Sequence, residues 1–377
     1  MSWFSHTPSP PHWRMDWPAI VEAFSWVAAM EGCEQDPIYH AEGNVLIHTR
    51  MVCEALIANP AWRALPQIER DTVFAAALLH DVAKPFTSVA NPGGRISTPH
   101  HSPRGAVMAR GLLWRMGVDP QIREQVCGLV QWHQVPYFCI DQPDPLRSLI
   151  RVSQTARCDH VALLCESDVR GRICDDPERM LESIALFVLM AEEEGCLSQP
   201  WPFASDHARV LWFRSPSRDP RYAAYDDTRG EVVMMSGLPG AGKDTWIADN
   251  LPGHPVVSLD AIRTELSVHP SENQGRVVQL ARERAREHLR LSTPFVWNAT
   301  TLTRHTRKPV IGLFGDYNMR IRAVCMETPP VVLFARNADR EDSVPRKIIE
   351  RMISRWQPPD TSEVHIVQRV GASKRSP

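Results

Sequence analysis

The chain has 377 residues, 43% of them hydrophobic and 23% charged, with 44 acidic against 42 basic side chains. At about 150 residues per domain this length predicts two domains, and the composition excludes a disordered, collagenous or repetitive chain. The net charge of −2 names no partner, no run of about 18 apolar residues is present, and the N-terminal segment lacks the basic flank and apolar core of a signal peptide, so a cytoplasmic protein with no membrane association is expected.

From residue 17 to 195 apolar residues recur at helical spacing over 19–30, 46–58, 68–79, 103–116, 122–130, 146–169 and 177–194, which predicts a domain of helices with almost no strand. The stretch 198–229, punctuated by Pro200, Pro202, Pro216 and Pro220, reads as a connection. From Gly230 on, short β-branched runs at 231–236, 255–258, 295–297, 321–326 and 364–367 alternate with helical segments, which predicts a parallel sheet with crossover helices. The ends, 1–11 and 371–377, are expected to fray. Nine cysteines contain no CxxC pair, and all but Cys325 lie in the first 196 residues, so they read as reduced core thiols rather than a structural zinc site.

Histidines concentrate between His40 and His133. His80 and Asp81 stand at the end of the apolar run 73–79, which places an imidazole and a carboxylate together at the rim of a helical core. His48 upstream and Asp168 downstream complete a mixed N/O ligand set of the kind that suits Mn, Fe, Co, Ni or Zn and leaves positions for water to become a nucleophile toward phosphorus. His101 and His133 are candidates for a second metal or for the substrate phosphate. These pieces, His40-x-Glu-Gly-x-Val-x-x-His48-Thr, Leu-His80-Asp81-Val-Ala-Lys84-Pro, His101-x-x-x-Gly105-Ala, His133 and Glu-Ser-Asp168-Val-Arg-Gly-Arg, resemble the HD phosphohydrolase superfamily, and within it the HD domain attached to bacterial tRNA nucleotidyltransferases. The resemblance implies a divalent-metal phosphohydrolase acting on 2′,3′-cyclic phosphodiester and 2′- or 3′-phosphate ends of RNA, with Lys84 on the substrate phosphate.

In the second half, Gly237-Leu-Pro239-Gly240-Ala-Gly242-Lys243-Asp244-Thr245 follows the strand run 231–236 and opens a helix. Its glycines let successive N–H groups face one anion, the helix adds its positive end, and Lys243 reaches the outer phosphates. Asp244 stands where a Mg²⁺-binding Ser or Thr is usual, and a carboxylate is itself a Mg²⁺ ligand. Asp260, at the carboxyl end of a strand expected beside the phosphate loop, is placed to act as general base on an acceptor hydroxyl, with Arg263 one turn later on an acceptor phosphate; the structural alternative is an Asp helix cap with a solvated Arg. Arg336 and Arg340, four residues apart before the break Ser343-Val-Pro345 and a helix over 346–356, read as a lid that neutralises the triphosphate. The arginine-rich run 275–291 is either an acceptor groove or a solvated helix. These elements in this order resemble the 5′-polynucleotide kinase domains of nucleic-acid repair enzymes over about 230–360. The resemblance implies Lys243 on the phosphates, Asp260 as base, Arg263 on the acceptor, Arg336 and Arg340 on the nucleotide, and Ala299 in place of an aspartate.

Together the halves resemble the bacterial HD-domain polynucleotide kinases. The fold expected is two domains, an all-α HD phosphohydrolase domain at 17–215, a linker at 216–229, and an α/β P-loop kinase domain with a parallel sheet at 230–377. The function expected is a bifunctional end-healing enzyme that uses ATP with Mg²⁺ in the kinase and a transition metal such as Mn²⁺, Co²⁺ or Ni²⁺ in the HD domain. RNA or DNA ends are its substrate, and a homo-oligomer and a functional partnership with a ligase are both compatible with it. The alternatives are an HD nucleotidase fused to a nucleoside-type metabolite kinase, and a nucleotide-sensing regulatory protein.

Overall fold

The computed structural model describes residues 2–269, 272–340 and 342–371. The chain divides into two compact units, Met1–Pro202 and Phe203–Pro377.

The first unit is helical. Its central helix, Gln67–Leu79, buries every side chain from Asp71 to Leu79, because an apolar run that covers all faces must be surrounded by other helices. Val45–Ala58, Pro120–Trp132 and Cys158–Arg170 pack against it, and His101–Arg115 packs on Pro120–Trp132. Their starts follow local chemistry. Asn44 accepts a hydrogen bond from the N–H of Ile47, and Asp119 caps the helix whose first residue is Pro120. A two-stranded antiparallel hairpin, β1 (Val89–Ala90) and β2 (Ile96–Ser97), interrupts the helices before His101.

Three expectations change here. The helix expected over 19–30 is broken at Phe24, whose extended backbone (φ −123°) separates Trp17–Ala23 from Ser25–Ala28. The one expected over 146–169 is two, Pro145–Ser153 and Cys158–Arg170, because the chain turns where Trp132 Nε1 donates to Thr155 Oγ1 at 2.7 Å. The N-terminal segment does not fray: Phe4 is buried, and Asp71 Oδ2 accepts hydrogen bonds from Ser2 Oγ and from the N–H of Trp3.

The second unit is a five-stranded parallel sheet of β3 (Gly230–Ser236), β4 (Val256–Ser258), β5 (Phe295–Asn298), β6 (Met319–Glu327) and β7 (Ile366–Gly371), in the order β4-β5-β3-β6-β7. β3 is central and buried on both faces, as parallel strands covered by crossover helices must be. The helix Gly275–Arg290 packs through Val277, Ala281, Ala285 and Leu289, one residue per turn, and turns its charged residues outward. Phe295, Trp297 and Phe314 fill the same core; burying side chains of this size stabilises by about 1.5–3 kcal/mol each. The strand expected at 364–367 runs instead from Ile366 to Gly371, and the rest of the expected C-terminal tail lies outside the described residues.

The units also meet earlier in the chain than the expected 216–229 linker. Asp206–Arg214 is a helix of the second unit, held by Arg209, which donates to the carbonyls of Thr361 and His365, and by His207 Nδ1, 3.2 Å from His365 Nε2. Because the N–H of Ile321 donates to His365 Nδ1 at 3.0 Å, the His365 proton sits on Nε2. Burial, and next the neighbouring His207, lower the His365 pKa from 6.5 to about 4. A depressed histidine pKa means that the neutral form stabilises the fold above pH 6.5 and that this contribution is lost as pH falls toward 4. Denaturant unfolding between pH 7 and 4.5 is therefore expected to show a flatter loss of stability in His365→Gln than in wild type; parallel profiles would remove His365 from the acid sensitivity.

Candidate active sites in the two units

In the helical unit, three helices, which carry His48, His101 and Asp168, and the turns at the ends of two others, which carry His80, Asp81 and His133, bring histidines and carboxylates to one buried point. His48 Nε2 lies 3.1 Å from Asp168 Oδ1, 3.4 Å from His80 Nε2 and 3.7 Å from Asp81 Oδ2. Asp81 in turn lies 3.1 Å from His80 Nε2 and 3.4 Å from His101 Nε2. Two adjoining buried triads result, His48, His80 and Asp168, and Asp81, His101 and His133, and a third, partly exposed group of His40, Glu42 and His48 shares His48 with the first; in each the donor atoms lie within 4.8 Å of one another.

The hydrogen bonds behind the cluster decide what it presents. His80 Nδ1 faces the carbonyl of Ala77 at 2.7 Å, His101 Nδ1 that of Thr98 at 2.8 Å, and His133 Nδ1 that of Val130 at 2.8 Å. His48 Nδ1 faces Glu42 Oε1 at 2.8 Å and the carbonyl of Gly171 at 3.2 Å. A carbonyl or carboxylate acceptor at 2.7–2.8 Å meets each of these nitrogens, with the Thr98 hydroxyl a longer 3.3 Å from His101 Nδ1, and this pattern favours the proton on Nδ1 and the Nε2 lone pair turned inward, the orientation a metal-ligating histidine needs. His133 Nε2 and both oxygens of Asp81 are buried with no hydrogen-bond partner. Lys84 Nζ, 2.6 Å from Asp81 Oδ2, forms an ion pair with one of those oxygens, which leaves Asp81 Oδ1 and His133 Nε2 as the atoms without such a partner. Buried electron pairs left in this state are costly unless a cation receives them. The donor set of neutral imidazoles and carboxylates thus fits a divalent transition metal.

Charges in the cluster agree. Burial by itself would raise the Asp81 pKa, but His80 and Lys84 hold it well below the usual carboxylate range, and Arg172 and His48 do the same for Asp168. Burial pushes His133 down to about 3 and lowers His101, which favours the neutral imidazole at both. His80 is the exception: burial opposes its charging, but Asp81 outweighs burial and raises its pKa, so a proton there meets the same demand for positive charge.

In the second unit the loop after β3 holds the other site. A Cβ at Gly237 would lie 2.7 Å from the Met326 carbonyl, so only glycine fits beside β6. Gly242 caps the helix Lys243–Asn250 in a left-handed conformation (φ 92°) with no side-chain cap, which leaves the first N–H groups of the helix for an anion. Lys243 Nζ curls back to the carbonyls of Gly237 and Leu238 at 3.1 and 3.2 Å, and burial lowers its pKa to about 8. Asp244 Oδ1 accepts from Asn298 Nδ2 at 2.6 Å. The helix Pro330–Ala338 packs on the loop, with Leu333 and Asn337 against Gly240, and Arg336 Nη1 would lie 3.4 Å from a Cβ at Gly242.

Two family models match the chain, an HD domain over residues 44–159 and an AAA domain over residues 232–359. A 160-residue stretch is 26% identical to the Multifunctional CCA protein of Thioalkalivibrio sulfidiphilus (strain HL-EbGR7), covering 41% of this chain and 36% of that protein, so the match spans about a third of the relative's length. Among solved structures, a sugar kinase from Janibacter sp. HTCC2649 and a gluconokinase from Sinorhizobium meliloti 1021 each overlay 39% of this chain and 87% and 84% of their own, at 18% identity and TM-scores of 0.30 and 0.29. The chain carries an HD domain followed by an AAA-type domain with a phosphate loop.

The HD domain brings together every metal candidate read from its sequence: His48, His80, Asp81, His101, His133 and Asp168. Lys84 is turned inward, its Nζ held by Asp81 and by Gln35 Oε1 at 2.7 Å, rather than outward to solvent. Sequence reasoning did not single out Glu42, whose Oε1 also meets His40 Nδ1 at 2.9 Å, nor Tyr137 and Arg172, which reach Asp168 at 3.2 and 2.6 Å. Their only signal is position beside the ligand motifs, and for Tyr137 there is none.

In the second unit Gly237, Pro239, Gly240 and Gly242 form the loop after β3, and Lys243, Asp244 and Thr245 are the first residues of the helix it opens. Asp260 does not lie on the strand next to the phosphate loop, because β5 intervenes between β4 and β3 and Asn298, not Asp260, meets Asp244. Nor is Asp260 the helix cap: Ser258 Oγ accepts from the N–H of Ala261, and the exposed Asp260 carboxylate pairs with Arg263. Arg263 Nε donates to Gln274 Oε1 at 2.8 Å, and Gln274 lines a cavity of about 710 Å³ together with Arg282 and Arg286, so the arginine-rich helix contributes both a core face and a basic wall. Arg340 lies beyond the end of its helix at Ala338, where Asn337 fastens the chain by hydrogen bonds to both backbone groups of Val344. The following helix ends at Ile353 instead of residue 356. Among the described residues no helix is long and apolar enough to cross a membrane.

Proposed function

We propose that this protein heals broken nucleic-acid ends at two independent sites. The HD domain removes 2′,3′-cyclic, 2′- or 3′-phosphate, and the P-loop domain transfers the γ-phosphoryl group of ATP to a 5′-hydroxyl. The observation that supports this most directly is that each compact unit holds its own phosphate-handling centre, a buried His/Asp cluster in one and a phosphate loop in the other. Hydrolysis of a cyclic phosphate consumes water and opens one P–O bond, and the kinase step makes a 5′-phosphate with release of ADP. Ends treated in both ways, in RNA or DNA, are what a ligase joins.

In this reading His48, His80, Asp81 and Asp168 hold one divalent ion such as Mn²⁺, Co²⁺ or Ni²⁺, with His101 and His133 beside it. A bound ion of this kind polarises a phosphoryl oxygen and makes water a better nucleophile. Lys84 keeps positive charge at Asp81. In the kinase-like domain Lys243 and the loop N–H groups bind the β- and γ-phosphates, Asp244 and Thr245 supply oxygen to Mg²⁺, and Arg336 and Arg340 neutralise the group in transit. Asp260 accepts the proton of the attacking hydroxyl, with Arg263 fixing its carboxylate and gripping the acceptor phosphate.

The test is to offer ATP with a 5′-hydroxyl oligonucleotide and, separately, with a free nucleoside; transfer to the nucleoside alone overturns the reading in favour of a metabolite kinase. Asp260→Asn is expected to lower kcat toward the oligonucleotide by about 10²-fold or more, with KM for ATP within about twofold. Unchanged turnover would leave Asp260 as a partner of Arg263 and no more.

A further inference from the structure

The floor of the HD cluster is sealed, with the side chains of His48, His80, Asp81 and Asp168 at most 1% exposed, whereas His40 keeps 12% and His101 6%. What access the cluster has is therefore at His40 and His101. Two exposed aromatic rings stand close in sequence to the cluster residues. Tyr39 adjoins His40, and Phe86 follows two residues after Lys84. Each ring is paired with a guanidinium. The Arg95 Cζ lies 5.5 Å from the centre of the Tyr39 ring and is anchored by Asp36 Oδ2 at 2.6 Å. The Arg104 Cζ lies 5.9 Å from the centre of the Phe86 ring, and its Nη1 donates to the Phe86 carbonyl at 3.0 Å; Arg104 rises from the helix one turn after His101.

We propose that the Tyr39–Arg95 and Phe86–Arg104 pairs form a nucleobase platform at the mouth of the HD site, so that the site takes a base-bearing phosphate ester and discriminates against a base-free one. Rings about half exposed beside a phosphate site gain by covering their faces, and a planar base covers a ring while the adjacent guanidinium meets the negative charge of the same ligand. A base-free sugar or glycerol phosphate has no flat face to offer. The platform rests on the HD phosphohydrolase reading and names its substrate class, a nucleotide unit that is either free or at a nucleic-acid end.

The test uses full-length wild type, Tyr39→Ala, Phe86→Ala and Tyr39→Phe with three substrates: adenosine 2′,3′-cyclic phosphate, an oligoribonucleotide ending in a 2′,3′-cyclic phosphate, and glycerol 1,2-cyclic phosphate. The ratio of kcat/KM for base-bearing over base-free ester is expected to fall about tenfold in each alanine variant and to persist in Tyr39→Phe. If the fall appears with the oligonucleotide alone, the platform reads a nucleic-acid end; if it appears with both base-bearing substrates, it reads the nucleotide unit itself. Calorimetric binding of adenosine 3′-monophosphate, which needs no turnover, is expected to weaken about tenfold in the same alanine variants. Ring-dependent binding without hydrolysis of any substrate would sink the phosphohydrolase reading and leave the platform standing. Binding and substrate ratios that ignore both rings overturn the platform.

Discussion

Lys243→Ala is expected to lower phosphorylation of a 5′-hydroxyl oligonucleotide by about 10²- to 10³-fold, and to leave hydrolysis of a 2′,3′-cyclic phosphate within about twofold of wild type. The magnitude is that of removing one fixed charge from the place where negative charge develops. Lys243 is preorganised for this, since the carbonyls of Gly237 and Leu238 already hold its ammonium over the loop. Its pKa of about 8, lowered first by burial, keeps most of it charged at pH 7. The same shift has a direction: in the free protein the charge is lost as pH rises through 8, so ATP affinity should weaken from pH 7 to 9 in wild type and stay flat in Lys243→Ala. The hydrolase is spared because its cluster belongs to the other compact unit. Loss of both activities in a folded Lys243→Ala protein would end the two-site model.

Asp81→Ala is expected to produce the opposite pattern. Its carboxylate is the one group that reaches His48, His80, His101 and Lys84, so it serves both ligand triads, and removing it takes anionic charge from each. Bound metal after dialysis against Mn²⁺, Co²⁺ or Ni²⁺ should fall at least about tenfold, and hydrolysis of the cyclic substrate should be lost, while the kinase keeps wild-type turnover. Truncation also strands the Lys84 ammonium in a buried site, which destabilises by about 3–5 kcal/mol if no anion replaces the carboxylate. Asp81→Asn, which keeps the volume and an acceptor oxygen, separates the two effects. It should melt between wild type and Asp81→Ala, because its amide oxygen still accepts from the Lys84 ammonium without balancing the charge, and still bind metal weakly. Wild-type metal content in a folded Asp81→Asn protein, together with full hydrolysis in chelator, would remove the cluster from the mechanism.

The parts of this protein that its sequence determined are those whose physics is local. The phosphate loop is contiguous, so Gly237, Gly242 and Lys243 build their site from the backbone angles of one turn, and strand and helix on either side are set by their own apolar patterns. His80 and Asp81 are neighbours at the end of a helix whose burial is evident from its composition, and the ligand types that accompany them are chemically distinctive. Partnerships across the chain were decided only by tertiary packing. Tyr137 becomes a support of Asp168 once the short helix Val135–Phe138 lies against Cys158–Arg170, whereas Arg172 reaches Asp168 from only four residues away and Glu42 reaches His48 from only six. The insertion of β5 between β4 and β3 gives Asp244 its partner Asn298 and moves Asp260 one strand outward, a result of crossover connections that strand propensity does not encode. The helix Asp206–Arg214 belongs to the second unit for the same reason: Arg209 finds its acceptors at the carbonyls of Thr361 and His365, and His207 Nδ1 its donor at His365 Nε2, about 150 residues away, and no local signal in a proline-punctuated segment carries information over that distance.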